Sequence, residues 1–179
     1  MSLHLTSHHF EVFGRVINAY ATVETGIQIA LSGILRVHLS EAMVITSPYS
    51  AAQLKNVAKS IAKIKLRPEL AEQFVSLVGR WSAHSRLRND IAHNRWTKGG
   101  KPGSIKPVYI NIRDDKARFG GYDEEERDWT TDEIGKAFNQ LASINEEIKT
   151  FLVDSGLDDI IDLIMAEDSK STDDDDGVV

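Results

Sequence analysis

Between about His8 and Leu39, apolar residues return every three or four positions: Phe10, Phe13, Val16, Ile17, Tyr20, Val23, Ile27, Ala30, Leu31, Ile34 and Leu35. A stripe of that length and period is buried only along one side of a long amphipathic helix, so the body of the fold must be built by packing helices on that face. Gly14, Gly26 and Gly33 lower the local helix propensity without disturbing the period. One polar residue interrupts the stripe: Glu24, one turn after Tyr20. A carboxylate on a buried face needs a cation, and Arg88 is the candidate partner.

The same reasoning places three more helices. Ser47-Pro48-Tyr49-Ser50 spells a turn and a helix start, and Leu54, Val57, Ala58 and Ile61 line one side of a helix over Ala51 to Ala62. Pro68 suits the first position of a third helix, with Glu69 and Glu72 near its positive end. Its stripe runs Leu70, Phe74, Leu77, Trp81, His84, Arg88, Ile91 and Arg95. Arg88 then falls within about 10° of Leu70, in the middle of the apolar face, while Asn89 and His93 share a flank. Thr130-Thr131-Asp132-Glu133 is a capping box opening a fourth helix whose apolar positions run from Ile134 to Leu152 and which ends near Gly156.

Between the third and fourth helices the period changes. The segment from Lys98 to Gly103 cannot hold a helix, and Val108 to Ile112 alternates as a strand does. A turn at Arg113-Asp114-Asp115-Lys116 and a second strand, Ala117 to Phe119, complete a small β-hairpin over about residues 105–121. The fold class expected is therefore all-α: an up-and-down bundle of four main helices, with a small β-hairpin insertion between the third and fourth. Residues 1–165 read as one helical domain and 166–179 as a disordered acidic tail.

Composition narrows the chemistry. The chain has no cysteine, which excludes disulfides, thiolate catalysis and cysteine-bound zinc and is in keeping with a reducing cytoplasm. No apolar run approaches the roughly 20 residues of a membrane span, and Met1 to Thr6 lacks the pattern of a secretion signal. Nor is there a dinucleotide-binding loop, a P-loop or a nucleophile elbow. The net charge of -6 is unevenly spread: from Asp154 onward ten acids face one base. Between Arg80 and Lys101 six bases face one acid, Asp90, so that segment is the one suited to a polyanion. His4, His8 and His9 share no spacing with a carboxylate that would complete a metal site, and no metal is expected.

Within the basic segment stands Arg88-Asn89-Asp90-Ile91-Ala92-His93: an arginine followed by a small polar residue, then a histidine after four intervening positions, near the end of a long helix. A permanent cation beside a group that moves protons near neutral pH suits phosphate chemistry. The run resembles the signature of the HEPN superfamily, and the four-helix reading of Phe10 to Leu152 is similar to that fold. The resemblance implies a metal-independent endoribonuclease, working without cofactor as a homodimer in which both copies line one cleft. It implies that His93 takes the proton from a ribose 2′-hydroxyl, that Arg88 holds the scissile phosphate, and that Asn89 binds the phosphate or orients the histidine. Arg86, Arg95 and Lys98 are the candidate RNA-binding residues, and Glu24, Tyr20 and His84 the supporting ones. A toxin or defence role, with an antitoxin or other protein partner, follows the same resemblance. The alternative is a catalytically silent HEPN module that binds nucleotide or a partner protein; a purely structural helical dimer is the third reading. Bland roles are open as well: His93 as a helix cap, His84 as a core histidine, and Trp81 and Trp96 as packing residues.

Overall fold

The structure, a computed structural model, describes residues 5–113, 116–120 and 128–173. Among these the chain is mostly helical with a small antiparallel sheet. Its elements in order are α1 (Ser7–Leu35), α2 (Leu39–Thr46), α3 (Ala51–Lys65), α4 (Pro68–Ala83), α5 (Ser85–His93), β1 (Arg95–Lys98), β2 (Ser104–Arg113), β3 (Lys116–Gly120), β4 (Trp129–Thr130), α6 (Thr131–Ser155) and α7 (Leu157–Asp173).

The chain divides into two compact units, and the divisions fall inside the two longest helices and at the end of α4. The first unit comprises residues up to Ala21 and His84–Ala142; the second comprises Thr22–Ala83 and the residues from Ser143.

In the first unit the stripe of α1 buries Val12, Phe13, Val16, Ala19 and Tyr20, with Leu87, Trp96, Ile105, Ile134, Ala137 and Leu141 also buried there. Phe13 meets Trp96 with ring centroids 4.9 Å apart. The sheet is centred on β2. Its first half pairs with β1 (Arg95 opposite Val108, Lys98 opposite Ile105), and Ser104 and Ile105 pair with Thr130 and Trp129 of β4. Ile105 therefore lies between two strands, and its side chain is buried. The second half pairs with β3, from Tyr109 opposite Gly120 to Arg113 opposite Lys116. The expected hairpin is thus β2–β3; Asp114 and Asp115 of its turn lie outside the described residues. The capping box at the start of α6 forms as read: Thr130 Oγ1 accepts from the Glu133 N–H at 3.2 Å, and Glu133 Oε2 accepts from the Thr130 N–H at 2.9 Å.

The second unit packs Val23, Ile27, Leu31, Leu54, Phe74, Leu77, Trp81, Ile144, Ile148 and Phe151 into its core. Phe74 stacks on Phe151 at 5.3 Å. Small residues permit close helix contact: a Cβ on Gly26 would lie 3.2 Å from Ile148, and one on Gly33 would lie 3.2–3.3 Å from Ile161 and Leu157. Ser50 and Gln53 form a second capping box at the start of α3.

Four sequence expectations are corrected. The first helix ends at Leu35, where Arg36 takes a positive φ of 57°, and an unanticipated helix α2 follows. Its Thr46 is buried and accepts a hydrogen bond from Gln28 Nε2 at 2.9 Å, a contact across 18 residues that periodicity cannot foresee. The third helix is interrupted at His84, and Arg95, read as helical, opens strand β1. Finally, α7 continues through Asp173, into the stretch read as a disordered tail. Residues 174–179 lie outside the described residues.

Candidate functional site

Every candidate residue except Glu24 falls in the first unit. Helix α5 carries the motif. It buries only Leu87, leaves Arg88 half-buried and exposes Arg86, Asn89 and His93. The Arg88 guanidinium carbon lies over the ring of buried Tyr20, 5.9 Å from its centroid. The negative face of the ring favours a cation there, so Tyr20 lends an arginine on an otherwise apolar face an electrostatic reason to stay. Arg88 Nη1 also donates to Asn89 Oδ1 at 3.1 Å, which sets the direction of the side-chain tip.

The end of α5 is closed by Asp90 and Asn94. The Asn94 N–H donates to the Asp90 carbonyl at 3.1 Å, and Asn94 Nδ2 donates to Asp90 Oδ1 at 2.9 Å. Asn94 itself is extended (φ -103°, ψ 155°), which directs the chain out of the helix and into β1. His93 is the last helical residue, exposed beside this turn. In β1 Arg95 and Lys98 are exposed, while Trp96 is buried against Phe13. Arg86 Nε stands 4.0 Å from Asp90 Oδ2, a loose ion pair whose arginine side chain is 70% exposed and therefore available to another anion.

Arg88 and His93 do not point the same way. Five positions on an α-helix separate them by about 140° around the axis and about 7.5 Å along it, whereas Asn89 and His93 differ by about 40°. One copy of α5 thus presents a guanidinium on one side and an imidazole on another. His84 occupies the break between α4 and α5, half-buried and with helical backbone angles, and Glu24 is half-buried on α1 in the second unit.

The N-terminal histidines have a local explanation. His9 Nδ1 accepts the Thr6 N–H at 3.0 Å, and burial, then the charge of His8, holds its imidazole below the ordinary value. His8 Nδ1 is 3.6 Å from Glu11, and His4 lies outside the described residues. Among the described residues no group of three His, Asp or Glu side chains is placed to hold a metal, and no single helix is long and apolar enough to cross a membrane.

Sequence reasoning missed Asp128. Its Oδ2 accepts the Gly100 N–H at 2.6 Å, the Lys101 N–H at 3.0 Å and the Ser104 hydroxyl at 3.1 Å. Burial alone would raise its pKa; the donors of Lys101, Ser104 and Gly100, with the nearby charge of Lys106, outweigh that and lower it. The Gly-rich loop advertised backbone donors in need of an acceptor, but nothing in the spacing tied them to a residue 24 to 28 positions away.

No protein-family model matches this chain, and neither a curated protein nor a solved structure shows significant similarity to it.

Proposed function

We propose that the chain is a HEPN-type four-helix-bundle ribonuclease, acting on RNA in the cytoplasm without metal or cofactor and as a homodimer. The observation that carries this reading is the placement of the motif. Arg88, Asn89 and His93 lie on one short helix with the imidazole exposed at its end, and the exposed cations Arg86, Arg95 and Lys98 belong to the same unit. The roughly 140° between Arg88 and His93 supports two copies rather than one: a phosphodiester seated between two α5 helices can meet a guanidinium from one and an imidazole from the other.

In that cleft neutral His93 accepts the proton of a ribose 2′-hydroxyl as its oxygen attacks phosphorus. Arg88 holds the phosphate oxygens and stabilises the charge that grows on them, while Asn89 directs Arg88 through the hydrogen bond between them. The bond from phosphorus to the 5′-oxygen breaks, and that oxygen takes a proton from the partner copy's imidazolium. The products are a 2′,3′-cyclic phosphate and a 5′-hydroxyl. A nuclease of this kind fits a toxin or defence system held in check by an antitoxin or other protein partner.

One observation favours the second reading, a catalytically silent module that binds nucleotide or a partner protein: Arg88 is already engaged, with Tyr20 beneath it and Asn89 at its tip. Incubation of the purified protein with RNA in EDTA decides. The nuclease reading expects cyclic-phosphate products, abolished in both His93→Ala and Arg88→Ala with the helical circular dichroism unchanged. Intact RNA together with nucleotide binding supports the silent module, and neither activity points to a structural dimer.

A further inference from the structure

We infer that Asp128 is a positioning residue for a phosphate-gripping loop, Lys98–Ser104, which presents Lys98 and Lys101 to the RNA backbone; this rests on the ribonuclease reading above. The loop joins β1 to β2, and a glycine-rich connection of this kind would by itself sample many conformations. Here it has one shape. Gly103 turns the chain with a φ of 72°, the Gly99 N–H donates to the Ser104 carbonyl at 2.8 Å, and the Ser104 N–H donates to the Lys101 carbonyl at 3.1 Å. Asp128 closes the arrangement, drawing the Gly100 and Lys101 N–H groups and the Ser104 hydroxyl onto a single carboxylate oxygen. Gly99 is packed so tightly against this clasp that a Cβ there would collide with Ser104 Oγ and approach Asp128 Cγ to 2.8 Å. Ser104 is buried, whereas Lys98, Lys101 and Pro102 are exposed.

The chemistry sorts cleanly. The only acid in the clasp spends its charge on inward-facing backbone donors, and the two ammonium groups of the loop face solvent. Holding two flexible lysines at fixed positions lowers the entropy lost when a phosphate is gripped. Asp128 touches no substrate in this scheme; it acts through the loop.

The test uses full-length protein and a single-stranded RNA, with KM and kcat measured separately and binding followed as a function of salt. Lys101→Ala is expected to raise KM about fivefold, the size of one exposed charge contact, and to reduce the salt slope of binding by about 0.7. Asp128→Ala is expected to raise KM by a similar factor with kcat unchanged, and the double variant to be no worse than Asp128→Ala alone. Asp128→Asn keeps a carbonyl oxygen to receive the loop donors and is expected to recover most of the loss, whereas Asp128→Glu is too long for the space that Gly99 leaves. An additive double variant, or an unchanged KM in Asp128→Ala, overturns the inference, as does an Asp128→Asn variant as weak as Asp128→Ala. If the wild type neither binds nor cleaves RNA, it is the ribonuclease reading that fails, before Asp128 is put to the question.

Discussion

A double-mutant cycle on Tyr20 and Arg88 tests how the motif arginine is held. The guanidinium carbon stands 5.9 Å from the ring centroid, close to the outer limit of about 6 Å for a cation–π contact, on a side chain that is half-buried. Distance argues for the low end of the range and burial for more, so a coupling of about 0.5–1 kcal/mol is expected. Tyr20→Leu alone should cost about 1–3 kcal/mol, because Tyr20 is only 3% exposed and its ring fills core volume. Arg88→Met keeps the apolar stem and removes the charge. Denaturant unfolding of wild type, both single variants and the double variant isolates the coupling from the packing loss. In a chain of this length, 1 kcal/mol corresponds to roughly 2–4 °C in Tm, so thermal melts give an independent reading. Tyr20→Phe retains the ring face and should retain the coupling. A coupling below about 0.3 kcal/mol, within ordinary additivity error, would refute the idea that the ring fixes Arg88.

Two further perturbations follow from the packing and the charges. Gly14→Ala should stabilise the protein by about 0.5–1 kcal/mol, since nothing lies within 4 Å of the added Cβ in a helix interior, while Gly33→Ala should destabilise it by about 1 kcal/mol against Ile161 and Leu157; a shift of the same sign in both melts would contradict this. Arg80 makes a bidentate pair with Glu147, at 2.5 and 2.7 Å, which lowers the glutamate pKa chiefly through that hydrogen bond. With both side chains 44% exposed, the pair should contribute only about 0.5 kcal/mol after solvent screening. Because the folded carboxyl is depressed, the contribution is present above its ordinary value of 4.5 and lost as pH falls through the lower folded value. The gap in unfolding midpoint between wild type and Glu147→Gln should therefore close on acidification from pH 6 to pH 3, and a gap that widened would reverse the sign.

The helical content was legible because its signals are local. Pro68 at the start of α4, the box of Thr130 and Glu133, and the stripe of α1 each declare themselves within a few residues. The motif could be read in the same way, since Arg88, Asn89 and His93 share one helix. Strand β1 could not: Arg95 to Lys98 carry the same apolar and basic types as the helix before them. They become a strand through pairing with Val108 to Ile105, and through Trp96 finding Phe13. The length of α7 was misjudged for a related reason. Leu157 to Met165 reads as a short amphipathic turn, but from Ala166 the composition is polar and acidic, and no apolar period there signals that the helix runs on to Asp173.

The order of apolar and polar residues along the chain was by itself enough to determine that the protein is mostly helical, where most of its helices begin, and which short run concentrates an arginine, an amide and an imidazole. Helix formation satisfies backbone hydrogen bonds within a few residues, so neighbouring sequence suffices to specify it. Only the tertiary structure decided that Arg88 lies over Tyr20, that a sheet gathers around β2, and that Asp128 clasps the glycine-rich loop. Those contacts join residues far apart in the chain, and their partners are chosen by packing and unmet hydrogen bonds rather than by any pattern in the letters.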